Sequence, residues 1–151
     1  MNDNYSFSVG CMVRKKNQVL LVRHTYGNAK GKLLIPGGFC HENELPEEAA
    51  VREVLEETGI TAQVKRMAGI RCDRKNWYLL LEMDYLDGIP VSDGCENSEV
   101  LFCEIAEALT RSDCTEITKA ILKKMLDDSA DYLNSNMEYK AHKEGQASLY
   151  I

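Results

Sequence analysis

The sequence predicts one mixed α/β (α+β) domain, a sheet with helices packed against it. Three observations predict it. Short apolar runs, some alternating and some continuous, recur along the chain as strands require. Two amphipathic stretches, Pro46 to Thr58 and Ile117 to Met125, carry helical spacing. The 151 residues are enough for one core, 44% of them hydrophobic and 28% charged, and no linker or internal repeat divides them. The domain is read as residues 1–134, followed by a polar tail at 135–151 of no assigned role.

Ser6 to Val13 places Phe7, Val9, Cys11 and Val13 on one face, the mark of a half-buried strand. Lys15-Lys16-Asn17 makes a polar turn, and Val19 to Val22 is continuously apolar, so a strand buried on both faces completes a hairpin. Thr25 to Gly31 is a loop. Lys32 to Ile35 is a short strand ending at Pro36-Gly37-Gly38, where glycines let the backbone approach a ligand. Pro46 suits the first turn of a helix, Glu47 and Glu48 suit its positive end, and Gly59 suits its C-terminal cap. Gln63 to Ile70 and Trp77 to Tyr85 read as strands joined by the polar segment Arg71 to Asn76. Asp87-Gly88 and Asp93-Gly94 mark turns, and Val100 to Ile105 is another strand. Asp113 and Glu116 resemble a capping box for a last helix with Ile117, Ile121, Leu122 and Met125 on its apolar stripe.

The net charge of −6 argues against a general nucleic-acid binder, which would show a basic face. It leaves a nucleotide substrate open, because a bound cation reverses the local field. The polar start Met1-Asn2-Asp3-Asn4 and the lack of any membrane-length apolar stretch predict a cytoplasmic protein with no membrane contact. Six scattered cysteines without a Cys-x-x-Cys pair predict reduced, mostly buried thiols and no structural zinc.

One segment points to chemistry. Glu53, Glu56 and Glu57 fall on one helical turn, with Glu44 and Arg52 upstream. Residues three and four apart are neighbours on a helix, so these carboxylates repel one another. A hard divalent cation offsets such repulsion, and so do ordinary ion pairs from Arg52 to Glu48 and Glu56. The spacing is Gly38, five residues, Glu44, seven residues, then Arg52-Glu53-Val54-Leu55-Glu56-Glu57-Thr58-Gly59-Ile60. This 23-residue segment resembles the Nudix box at every defined position.

The resemblance implies a Nudix-type α/β/α sandwich with a mixed β-sheet. It implies a pyrophosphohydrolase that uses Mg2+, with Mn2+ as a substitute, to cleave the diphosphate bond of a small nucleoside diphosphate derivative. Glu53, Glu56 and Glu57, with the Gly38 carbonyl, would be the metal ligands, and Arg52 and Glu44 a supporting pair. Of Glu96 and Glu99, just before the Val100 strand, Glu99 is preferred as the extra ligand or base. Substrate contacts are expected from Arg23, Gly37 and Gly38 and, by stacking, from Trp77 or Tyr78, since a strand points at most one of the two at a pocket. His24 and Tyr26 are further candidates to line that pocket. ADP-ribose or a nucleotide sugar, a dinucleoside polyphosphate and a modified nucleoside triphosphate all stay open as substrates, as does a homodimer. The alternative is a Nudix domain that senses a nucleotide without cleaving it.

Overall fold

A computed structural model describes residues 5–127 and 147–150. Among the described residues eight strands form one sheet: β1 (Ser6–Lys15), β2 (Gln18–His24), β3 (Leu33–Leu34), β4 (Gly37–Phe39), β5 (Thr61–Asp73), β6 (Asn76–Asp87), β7 (Asn97–Glu104) and β8 (Ala147–Tyr150). Among the described residues α-helices α1 (Pro46–Thr58), α2 (Ile105–Thr110) and α3 (Glu116–Leu126) accompany it. The strand order is β3-β2-β1-β6-β5-β8, with β4 also beside β1 and β7 beside β2. Of the described strand pairs only β1 and β6 run parallel, so the sheet is mixed.

Strand alternation sorts the core into two layers. Val9, Cys11, Val13, Leu20, Leu79, Leu81 and Met83 face α1 and meet its Ala49, Ala50 and Val54. Met12, Val19, Leu21 and Leu80 face the other way and meet Ile105 and Ala108 of α2 and Ile121, Leu122 and Met125 of α3. The helix–sheet–helix sandwich follows from that division.

The hairpin positions the site. β1 pairs with β2 only at Arg14↔Val19 and Lys15↔Gln18. Beyond that point the strands part: the far half of β2 pairs with β3, and the first half of β1 pairs with β4. Pro36 and Gly37 carry the chain across the gap. A Cβ on Gly37 would meet the Val9 carbonyl, so the crossing needs glycine.

Helix α1 spans the residues expected. The Glu48 carboxylate accepts the Leu45 N–H at 2.9 Å, and Gly59, at φ 69°, ends the helix with its N–H on the Leu55 carbonyl. At α3 the cap differs from expectation. The helix starts at Glu116, so Thr115 is its cap and accepts the Thr118 N–H at 3.3 Å, while two arginines occupy the Asp113 carboxylate. The polar connection at Arg71 to Asn76 is shorter than expected. Asp73 Oδ1 accepts the N–H groups of Lys75 and Asn76, closing a tight turn that lets Arg71 to Asp73 continue β5. Helix α2 and strand β4 were not foreseen, and β8 takes four residues of the predicted tail. The rest of that tail lies outside the described residues. Of the cysteines, Cys11, Cys103 and Cys114 are buried and Cys95 is exposed. Among the described residues no helix is long and apolar enough to cross a membrane.

Candidate active site

A cleft of about 800 Å3 opens where β1 and β2 part. Gly37, Gly38 and Phe39 form one side with Glu53 of α1, and His24, Tyr26 and Glu96 stand on another. Ser8, Arg71, Asn76 and Tyr78 supply polar groups from the sheet, and Thr115, Glu116 and Ile117 close it from the start of α3.

The box residues build one connected framework. Arg52 Nε and Nη2 donate to the two oxygens of Glu44 at 2.7 and 2.9 Å, a fork-to-fork pair. Nη1 donates to Glu53 at 2.7 Å and to Glu56 at 3.2 Å, and Nη2 also reaches the Phe39 carbonyl at 3.1 Å. Glu44 in turn accepts the His41 N–H at 2.8 Å. Arg52 and that N–H hold the Glu44 carboxyl down at about 2. One guanidinium thus ties the loop after the glycines to α1. The Glu53 carboxylate lies directly against Gly38, where a Cβ would overlap it.

Glu57 has a different environment. It is buried, its Oε2 has no partner, and the Gly37 N–H donates to its carboxylate. Burial, then the neighbouring charge of Glu53, pushes its pKa up to about 8, with smaller contributions from Glu96 and Asp93. A buried carboxylate with an unsatisfied oxygen, beside two more carboxylates and a glycine backbone, fits a hard divalent cation with oxygen ligands. In the arrangement described, Glu53 leans to Arg52, and no three acidic, His or Cys side chains among the described residues converge at metal-ligand spacing.

A family model of the NUDIX domain matches residues 4–124. The chain belongs to the Nudix family. This Nudix domain is 40% identical over 63 residues to an ADP-ribose pyrophosphatase of Methanocaldococcus jannaschii, covering 42% of this chain and 37% of that protein. It is 39% identical over 57 residues to an 8-oxo-dGTP diphosphatase of Escherichia coli, covering 37% and 44%. Both matches span less than half of the relatives' length. A Nudix hydrolase structure from Nitrosomonas europaea superposes with a TM-score of 0.73 at 26% identity, covering 82% of this chain and 70% of that one.

Within the Nudix domain, the expected residues divide. Gly37, Gly38 and Glu53 line the cleft on its α1 side; behind them Arg52 bonds Glu53 and Glu44, Glu57 is buried against the Gly37 N–H, and Glu56 lies on the exposed flank of Arg52. Arg23 and Glu99 are not among the cleft residues. They bond each other at 2.7 Å, and Arg23 also donates to the Gly31 carbonyl at 3.0 Å and to Asp113 at 3.1 Å. Trp77 is exposed and meets Tyr5 edge-on at 6.4 Å, while Tyr78 lines the cleft.

Two carboxylates outside the box reach the cleft, Glu116 at the start of α3 and, instead of the expected Glu99, Glu96 just before β7. The Glu96 turn is fastened on several sides. Asp93 Oδ1 accepts the N–H groups of Cys95, Glu96 and Asn97, Thr25 bonds the Glu96 carbonyl, and the Tyr26 hydroxyl donates to its carboxylate at 3.3 Å. Buried Asn97 donates to the Glu57 carbonyl at 2.8 Å, joining the turn to the end of α1. The Asp93-Gly94 turn signal could have pointed to Glu96 in the sequence. Ser8, Arg71, Asn76 and Thr115 carried no such signal, because three chain segments bring them together.

Proposed function

We propose that this domain hydrolyses the diphosphate bond of a nucleoside diphosphate linked to an uncharged, hydroxyl-rich group, using Mg2+ or Mn2+. The observation that carries this reading is the buried, incompletely partnered Glu57 carboxylate beside Glu53 and Glu96 at a nucleotide-sized cleft. Glu53 and Glu57 would hold the cation with the Gly38 carbonyl, and Glu56 from the exposed flank. A bound cation supplies charge neutralisation at the phosphate oxygens and a more acidic water.

The chain's own groups do the rest. Arg52 orients Glu53 and keeps Glu44 and the glycine loop in place. A water oxygen attacks one phosphorus, the bond from that phosphorus to the bridging oxygen breaks, and two phosphorylated fragments leave. The water proton needs a base. Glu44 and Glu53 are tied to Arg52, Glu99 is tied to Arg23, and Glu57 would hold the cation. Glu96, steadied by a neutral hydroxyl, takes the proton on its carboxylate.

Charge supports the substrate class. The cleft carboxylates are Glu53, Glu96 and Glu116, against Arg71 and the imidazoles of His24 and His41, and burial lowers the pKa of His24, which favours its neutral form. A diester of diphosphate carries fewer negative charges into that field than a triphosphate does. Ser8, Asn28, Asn76 and Thr115 suit sugar hydroxyls.

The test is release of phosphorylated products from ADP-ribose, nucleotide sugars, diadenosine polyphosphates and modified nucleoside triphosphates, with Mg2+, Mn2+ or EDTA. Preference for ADP-ribose or a nucleotide sugar is expected, abolished by EDTA and lowered roughly 100-fold or more in Glu57→Gln and Glu96→Gln. Binding without turnover of any substrate would move the reading to a nucleotide sensor.

A further inference from the structure

Gly10 sits in the middle of β1, paired with Leu80 of β6 on one side and Gly37 of β4 on the other. Its backbone is not left-handed, so no dihedral requires glycine there. Glycine inside a strand weakens it, and such a position often marks a close approach by another group. The group here is Tyr78. A Cβ on Gly10 would overlap Oη, Cζ and Cε1 of the phenol.

Tyr78 is paired with Ser8, two residues before Gly10 on the same face of the sheet. Its side chain therefore runs diagonally across β1 instead of standing straight off the sheet. That lean carries the hydroxyl away from Asn76 and Arg71 and towards the strand edge where Gly37 bonds Glu57. The phenol feels the charge of Glu57 there, and burial keeps it protonated, so it is a hydrogen-bond donor. With its ring laid on Gly10, Tyr78 offers the cleft an edge and a hydroxyl more than a stacking platform.

We propose that the Tyr78 hydroxyl, laid across Gly10, donates to an oxygen of the bound diphosphate derivative at the reacting end of the cleft. Gly10 is then a specificity-determining position, because only glycine leaves the phenol room to reach. The proposal rests on the pyrophosphohydrolase reading for its substrate, and its test separates the two.

The test pairs kcat and KM for ADP-ribose with equilibrium binding of a methylene-bridged ADP-ribose analogue, which does not require turnover. The proteins are the wild type, Tyr78→Phe, Gly10→Ala and the double variant. Tyr78→Phe keeps the ring and should raise KM and weaken analogue binding by roughly three- to tenfold, the effect of one hydrogen bond, with kcat nearly kept. Gly10→Ala should weaken binding at least as much by displacing the phenol. The double variant should be no worse than Gly10→Ala, because a displaced hydroxyl has nothing left to lose. Analogue binding that follows this pattern without ADP-ribose turnover would sink the hydrolase reading and leave the pair standing. Unchanged binding in Tyr78→Phe, or additive losses in the double variant, would overturn the proposal. A wild type that does not bind the analogue would overturn it too.

Discussion

Glu57 is held with most of its carboxylate out of water and one oxygen unpartnered, next to Glu53. An ion kept so costs free energy that only a cation or a proton relieves. Its folded pKa of about 8 lies above the usual carboxylate value of 4.5. The sign follows: the folded form holds the extra proton, so this contribution to stability is complete below pH 4.5 and lost as pH rises through 8. Glu44 works the other way. Its pKa is depressed to about 2, so its contribution is complete above 4.5 and constant across that window. Metal-free protein in EDTA is therefore expected to lose stability from pH 5 to 8, on the order of 3 kcal/mol. Thermal unfolding across that range checks it. Glu57→Gln should flatten the profile, and saturating Mg2+ should flatten it as well. A flat profile for the metal-free wild type would contradict this account of Glu57.

The elements decide which charged residues serve the cleft and which brace it. On β2, Leu20 faces α1, whereas Val19 and Leu21 face α3. The β2–β7 register shifts between Arg23 and His24, and His24 lines the cleft while Arg23 does not. Arg23 instead joins β7, the loop at Gly31 and the approach to α3 at Asp113. Arg111 grips the same Asp113 through both oxygens, and the two arginines hold that carboxyl well below the usual carboxylate range. Arg23→Ala is expected to cost about 1–2 kcal/mol in urea denaturation while KM for ADP-ribose changes less than about twofold. A large rise in KM at unchanged stability would make Arg23 a substrate contact after all. The box and α1 were legible because capping residues and glutamate spacing are local properties of the chain. Helix α2 was not, since six residues give too little period to read.

At the scale of the whole molecule, β6 joins the β1–β2 hairpin to β5, and β5 carries the sheet on to β8. β6 covers the inner edge of β5, and β8 covers its outer edge from Ile70 to Asp73. Deleting residues 147–151 would leave those backbone groups unpaired beside Arg71, and open strand edges recruit other strands. The truncated protein is expected to keep its fold, to melt roughly 5 °C or more lower, and to associate as concentration rises. Calorimetry with size-exclusion chromatography at two concentrations checks this, and an unchanged melting point and size would count against a role for β8.

The family, the helix that carries the glutamates, the Glu44–Arg52 pair and most strands were settled by sequence alone. Each depends on residue spacing within a few turns of chain, where the period of a helix or strand fixes what meets what. Tertiary structure alone decided that Glu96 and not Glu99 enters the cleft, that Arg23 turns to the α3 layer, and that Tyr78 lies across Gly10. Those outcomes depend on strand register and on the parting of β1 from β2, and a shift of one residue in register would send every such side chain to the opposite face.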